Sequence, residues 1–371
     1  MKIIHFVSSL GTGGAEVVVK DSVLSLNRLG HEVMVLVYES NENWPYEKQV
    51  RENGISVKCV GFEPTDSILK RAFRKLFGKS LIKKKILSYI NEFKPDVIHT
   101  HLDLITFVSD IRNKLSGIKL VYTCHSDPEK NFGKKESVAI RNLINSNGIR
   151  IIALHKNMAE EIKTMFPGAD VTVLENPIDI KRFQDPGLTE PEAKKKLGIP
   201  ENAYVIGHVG RFVPLKNHKW LIQVFKAISE TKPEAFLLMA GENTEQSRKN
   251  VTGQLDDLGL SGKYMILQDV SDMPCLYSAM DVFVLPSEYE GFPIALLEAQ
   301  AAGLKCVVSD TVSEEAFLTE KIVPLSLSEP AIKWADAVLS DNAVFFRSHG
   351  KISDYDINNV TSKLLDIYNK A

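Results

Sequence analysis

Short apolar runs alternate with helix-length amphipathic stretches along this chain, and the alternation is laid out twice. In the first half the runs fall at residues 2–8, 31–38, 55–60, 96–100, 119–124, 149–154 and 171–174. In the second they fall at 204–210, 235–239, 264–267, 282–285 and 304–308. Strands apolar on both faces need helices on both sides, which is the pattern of a parallel sheet. The expected fold class is α/β, with two doubly wound Rossmann-like domains facing across a cleft. Between the halves, residues 175–200 carry Pro177, Pro186, Gly187, Pro191 and Pro200 and read as a linker. The first domain is expected over 1–178 and the second over 179–353.

One block in the second half concentrates chemistry. It runs from Asp281 through Glu290 and Glu298 to Asp310, and reads as strand, loop, helix, strand. The loop therefore falls at the carboxyl end of a parallel strand, where open α/β sheets bind ligands. The helix is expected to open at Gly291, with Pro293 in its first turn and Gly303 as its stop. Ile294, Ala295, Leu296, Leu297, Ala299, Ala301 and Ala302 make it apolar nearly all round, so it is buried. Glu298 sits inside it, and a buried carboxylate needs partners. On spacing alone, Glu298 could pair with a core Arg or Lys, and Glu290 could be a solvated loop residue. The helix start offers free N–H groups and positive potential, which suit phosphate.

Other motifs are weaker singly. Ser9 to Glu16 is a Gly-rich turn opening a helix, but its sixth fingerprint position is Glu16, which argues against a dinucleotide site. His101 and His125 close two strands of the first half. Arg211 and Lys216 lie five residues apart on a loop before a helix and could clamp a diphosphate. Asp354 and Asp356 have an Asp-x-Asp form and read as first-turn acids of the last helix. No His or Cys pair shows ligand spacing, so no metal site is expected.

Composition excludes several classes. A net charge of −2 points to no nucleic-acid partner, and 44% hydrophobic with 25% charged residues is ordinary for a globular protein. Cys59, Cys124, Cys275 and Cys306 are scattered, as in a reducing compartment. No signal peptide or spanning segment is read, so a cytoplasmic protein is expected. Between Leu69 and Lys85 lie eight cations and six large apolar residues without an acid. This segment is either a solvated helix face or a surface for anionic lipid, which would make the protein peripheral on the inner face of the membrane.

Pro286-Ser-x-x-Glu290-Gly-Phe-Pro-x-x-Leu-Leu-Glu298-Ala299 resembles the Glu-x7-Glu signature of the family 4 glycosyltransferases, retaining enzymes of GT-B fold that use nucleotide-sugar donors. The resemblance extends to Gly210-Arg211…Lys216-Asn217, Thr123-Cys-His125 and the Asn176-to-Asp179 segment. It departs at Gly241-Glu242-Asn243, where related enzymes often show Gly-x-Gly-Pro. The family implies that Arg211 and Lys216 meet the donor diphosphate, that Glu290 orients the sugar, and that Glu298 accepts from the ribose hydroxyls. Backbone N–H groups of Gly291, Phe292 and Ile294 would hold sugar or phosphate. His125 would line the sugar site, and His101 would lie towards the acceptor. Gly13 and Gly14 would approach the donor. The C-terminal helix, 354–371, would pack back on the first domain. The implied function is sugar transfer from a nucleotide diphosphate sugar, a UDP-sugar first, to a saccharide or lipid-linked acceptor, without a metal cofactor. The Gly-Phe-Pro form and the Ala299-to-Gly303 run look most like enzymes of bacterial capsule and exopolysaccharide assembly. A nucleotide-sugar epimerase of the same fold would turn over without an acceptor, and a non-catalytic donor-binding partner would not need a complete charged site.

Overall fold

A computed structural model describes residues 1–62, 68–242, 244–290, 292–340 and 351–371; the side chains of 68–77, 130 and 147 lie outside that description. The chain forms two units, one of Met1–Pro177 with Ile357–Ala371 and one of Ile178–Asp356.

The first unit holds seven parallel strands: β1 (Lys2–Val7), β2 (Glu32–Glu39), β3 (Ser56–Phe62), β4 (Val97–His101), β5 (Lys119–Thr123), β6 (Arg150–Ala153) and β7 (Asp170–Val173). Their order is β3-β2-β1-β4-β5-β6-β7. The second holds six: β8 (Tyr204–Val209), β9 (Ala235–Ala240), β10 (Tyr264–Leu267), β11 (Val282–Leu285), β12 (Lys305–Ser309) and β13 (Ile322–Leu325), in the order β10-β9-β8-β11-β12-β13. Both are doubly wound sheets, and all pairings are parallel. Strand order reverses between β1 and β4 in one and between β8 and β11 in the other. At such a switch point the following helices leave to opposite faces and open a crevice beyond the strand ends. The Gly-rich turn follows β1, and His101 ends β4. The Arg211–Lys216 loop follows β8, and the Glu290 loop follows β11. All four motifs thus lie at a switch point.

Three expectations are corrected. The proline-rich linker folds, in part, as two helices of the second unit. Ile180–Gln184 is capped by Asp179, and Glu190–Leu197 opens on a capping box of Thr189 and Glu192 with a proline in its first turn. Buried Lys194 holds the latter in place, donating to Ala203 O at 2.8 Å and Asp281 Oδ2 at 3.2 Å. Pro191, in a first turn, costs no hydrogen bond and opens a helix instead of breaking the chain. Second, β13 was not foreseen; it is an edge strand carrying Pro324, which an edge tolerates. Third, Asp354 and Asp356 precede the last helix, Ile357–Lys370, and its first turn holds no acid.

That last helix belongs to the first unit's core. Val360, Leu364, Ile367 and Tyr368 pack among Val19, Val23, Leu26 and Val121. Its final carbonyls accept from Lys119 Nζ at 2.9 and 2.8 Å and from Arg150 Nη1 at 3.3 Å, which answers groups that a helix C-terminus leaves open. Leu364→Ala should destabilise the protein by about 2–5 kcal/mol, the usual range for a buried leucine. Chemical denaturation followed by circular dichroism measures this, and a change under 1 kcal/mol would show the helix to be an accessory.

Candidate active site

In the second unit the charged residues converge. β8 ends at Val209, and a short 3-10 turn, Pro214–Lys216, presents Lys216. Asn217 follows in a left-handed conformation, φ 54°, and caps the helix His218–Thr231 through its side chain. Asparagine tolerates that conformation better than most non-glycine residues. Lys216 Nζ is ion-paired with Glu290 Oε1, and both side chains are largely buried. Ser287 Oγ donates to the same carboxylate at 2.7 Å. Ser287 O in turn accepts from Ser309 Oγ at 2.5 Å and Thr311 Oγ1 at 2.9 Å, so the loop after β11 is braced by the strand next to it. The Lys216 stem lies across Gly210, where a Cβ would come within 3.2 Å of its Cδ. Gly241, after β9, backs onto the same loop; a Cβ there would stand 2.0 Å from Gly210 O, so only glycine fits. Arg211 is exposed on this loop.

The helix after the loop starts later than expected, at Ile294, with Pro293 as its N-cap. Its first N–H groups, those of Ile294 and Ala295, lack intrahelical partners. Gly291 lies outside the described residues. Phe292 is buried and stacks on Tyr355 with ring centres 5.3 Å apart. Glu298 is buried and accepts from the Tyr277 phenol Oη at 2.8 Å. His218, close to Lys216, is held down to about 4 by burial and then by that ammonium.

The first unit's site is built around buried imidazoles. His101 Nδ1 and His125 Nε2 lie 2.8 Å apart, and His101 Nε2 and His5 Nδ1 lie 3.1 Å apart. His99 contacts Thr123 Oγ1 and Tyr368 Oη, each at 2.7 Å, and Tyr368 Oη contacts His5 Nε2 at 3.2 Å. Leu102, next to His101, has a φ of 59°, also in the left-handed region. At the Gly-rich turn, Gly13 caps the helix Gly14–Arg28, and the Glu16 carboxylate folds back over it, 2.2 Å from where a Gly13 Cβ would be. An anion approaching Gly13 or Gly14 meets that carboxylate first.

The sequence reading missed His5, Ser287, Tyr277 and Tyr368. Ser287 stood inside the quoted motif. His5 could have been found only from the sheet order, which registers it against His99. No ligand spacing is read among the histidines in sequence, yet the sheet brings ligand atoms of His5, His99 and His101 within 4.8 Å of one another. Hydrogen bonds already engage all six of their ring nitrogens.

The comparisons fit this geometry. Residues 189–321 match the family model described as "Glycosyl transferases group 1", and residues 12–182 match "Glycosyltransferase Family 4". The chain belongs to these glycosyltransferases. EpsF of Bacillus subtilis strain 168, named as a glycosyltransferase, is 26% identical over 99% of this chain and 96% of its own length. The UDP-Gal:alpha-D-GlcNAc-diphosphoundecaprenol alpha-1,3-galactosyltransferase of Escherichia coli is 30% identical over 62% of each chain. The capsular polysaccharide biosynthesis glycosyltransferase CapH of Staphylococcus aureus is 22% identical over 99% and 98%. In fold the chain matches HepE of Anabaena, solved with UDP and glucose, at a TM-score of 0.79 and 19% identity over the whole of both chains. WaaG, a lipopolysaccharide glycosyltransferase, matches at 0.71 and 14%, again over both whole chains. The fold is GT-B, and the enzyme is a glycosyltransferase.

Burial holds His5 down to about 3 and His99 and His101 well below the usual 6.5. The unfolded chain binds a proton on each ring below about pH 6.5, and the folded one does not until far lower. Stability should therefore fall as pH drops from 6.5 towards 4, by roughly 1.4 kcal/mol per pH unit for a fully buried ring such as His5. Denaturant midpoints measured from pH 7.5 to 4.5 check this, and His5→Gln should flatten the slope.

Proposed function

We propose that this enzyme moves a sugar from a UDP-sugar to a hydroxyl of a lipid-linked saccharide, with retained anomeric configuration, in building a bacterial cell-surface polysaccharide. The observation that carries the reading is the switch-point crevice of the second unit. Lys216 and Glu290 form an ion pair there, Arg211 lies on the same loop as Lys216, and the Ile294–Ala301 helix follows the Glu290 loop. A diphosphate would draw Lys216 from Glu290 and add Arg211, while Glu290 would turn to the sugar hydroxyls. Charge grows on the leaving diphosphate in the transition state, and these groups would answer it. N–H groups of Gly291, Phe292, Ile294 and Ala295 would hold phosphate or sugar. Glu298, oriented by Tyr277, would accept from the ribose. His125 is assigned to the sugar and His101 to the acceptor side. Gly13 and Gly14 remain a close-approach surface once Glu16 swings aside. The donor class is supported by HepE, solved with UDP-glucose, and the acceptor class by the Escherichia coli relative's name.

The membrane reading narrows. In the helix Ile68–Phe93, Ile82, Ile86 and Ile90 are buried, so this stripe packs on the protein. Lys83 pairs with Asp110 at 3.3 Å, and Lys85 reaches Cys59 O at 3.4 Å. Side chains between Leu69 and Phe77 lie outside the described residues. Contact with anionic lipid is proposed for the segment's other cations, Lys70, Arg71, Arg74, Lys75, Lys79 and Lys84, of which only Lys79 and Lys84 have described side chains. Among the described residues no helix is long and apolar enough to cross a membrane.

Lys216→Ala should lower turnover at saturating donor by roughly 10²–10³, the cost of losing one group that stabilises transition-state charge. Steady-state kinetics with UDP-sugar decide it, and unchanged turnover removes Lys216 from the chemistry. Activity should also persist in EDTA, because the charge on the leaving group is answered by side chains. Loss in EDTA with rescue by Mn²⁺ would contradict this.

A further inference from the structure

The four clustered imidazoles of the first unit, His5, His99, His101 and His125, do not merely touch. Their contacts form one unbranched sequence: Thr123 Oγ1, His99, Tyr368 Oη, His5, His101, His125. Each inner ring uses both nitrogens, one towards each neighbour. His5, His99, His101 and Tyr368 are at most 3% exposed, so an unanswered N–H there would be costly. A neutral imidazole has one donor and one acceptor nitrogen. If His99 donates from Nε2 to Thr123, its Nδ1 must accept from Tyr368. The phenol then accepts from His5 Nε2, His5 Nδ1 accepts from His101 Nε2, and His101 Nδ1 accepts from His125 Nε2. Reversing one bond reverses them all.

We propose that His5, His101 and Tyr368 are positioning residues, and that this chain locks His125 and His99, at opposite ends, into one shared tautomer. Either all four rings carry hydrogen on Nε2, or all four carry it on Nδ1. His125 Nε2 is engaged by His101, so Nδ1 is the atom it offers a ligand. In the first state Nδ1 accepts a hydrogen bond from a hydroxyl; in the second it donates one. The far end abuts a cavity of about 20 Å³ lined by His99, His101, Thr123 and Asn176. That is room for one water molecule, which would answer Asn176 Oδ1, a buried oxygen without a partner among the described residues. The shared tautomer follows from geometry; its use in catalysis rests on the assignment of His125 to the sugar.

The test is long-range ¹H–¹⁵N correlation spectroscopy on the full chain with ¹⁵N-labelled histidine at pH 7.5, assigned with single-histidine variants. The expected spectrum shows all four rings neutral and in the same tautomer. In Tyr368→Phe, His99 should become independent of the other three, and the His125 signal should shift although residue 368 does not touch it. Turnover should then fall roughly fivefold, the worth of one hydrogen bond, with donor affinity unchanged. Thr123→Val is the second variant should Tyr368→Phe not fold. It should leave no N–H facing the valine, with all four rings protonated on Nδ1. Mixed tautomers in the wild type, an imidazolium among the four, or stoichiometric Zn²⁺ binding that shifts His5, His99 and His101 together would overturn the proposal. Full activity of His125→Asn with one shared tautomer would instead remove His125 from the sugar site and leave the chain standing.

Discussion

Both sites depend on where a doubly wound sheet reverses its strand order. Right-handed crossovers send the helices after β1 and β4, and after β8 and β11, to opposite faces. The loops between them cannot close over the strand ends. Side chains at those ends, Lys216 and Glu290 among them, therefore sit beside a crevice while the strands behind them stay packed. Backbone N–H groups at the next helix start complete the setting. The pattern of short strands and helices commits the chain to this geometry before any functional residue is chosen.

The two units solve opposite electrostatic problems. The second keeps charges and pairs them: Lys216 with Glu290, and Glu290 again with Ser287. Removing one partner of such a pair would leave the other poorly answered, so the pair stores a site for a ligand of either sign. The imidazole cluster of the first unit keeps no charge. Its imidazoles are stacked close, with His99 and His101 ring centres 4.3 Å apart, and burial strips their protons at ordinary pH. Charging one would place a cation beside three others that could also bind protons. Neutrality is thus the condition for packing them, and hydrogen bonding from one to the next is the consequence.

Most of the architecture was legible because strand and helix periods and the Gly303 stop are local signals. Glu290, Glu298, Arg211 and Lys216 were legible because they sit in one motif or on one loop. What was not legible is long-range. Lys216 meets Glu290 across 74 positions, and Tyr368 meets His5 across 363. No local pattern carries such contacts; the sheet order does. Glu298 was expected to need a partner, and it has one, but nothing local nominated Tyr277. The proline-rich stretch misled because prolines both break chains and begin helices, and Pro191 does the latter.

The central claim is that the donor diphosphate is held in the second unit, by the loop after β8 and the start of the Ile294–Ala301 helix. Hydrogen exchange of the full chain, with and without UDP and read by mass spectrometry, tests it directly. The account predicts slowed exchange in peptides covering 210–218 and 290–298. Protection confined to the Gly-rich turn, residues 9–16, with no change at 210–218 or 290–298, would contradict it.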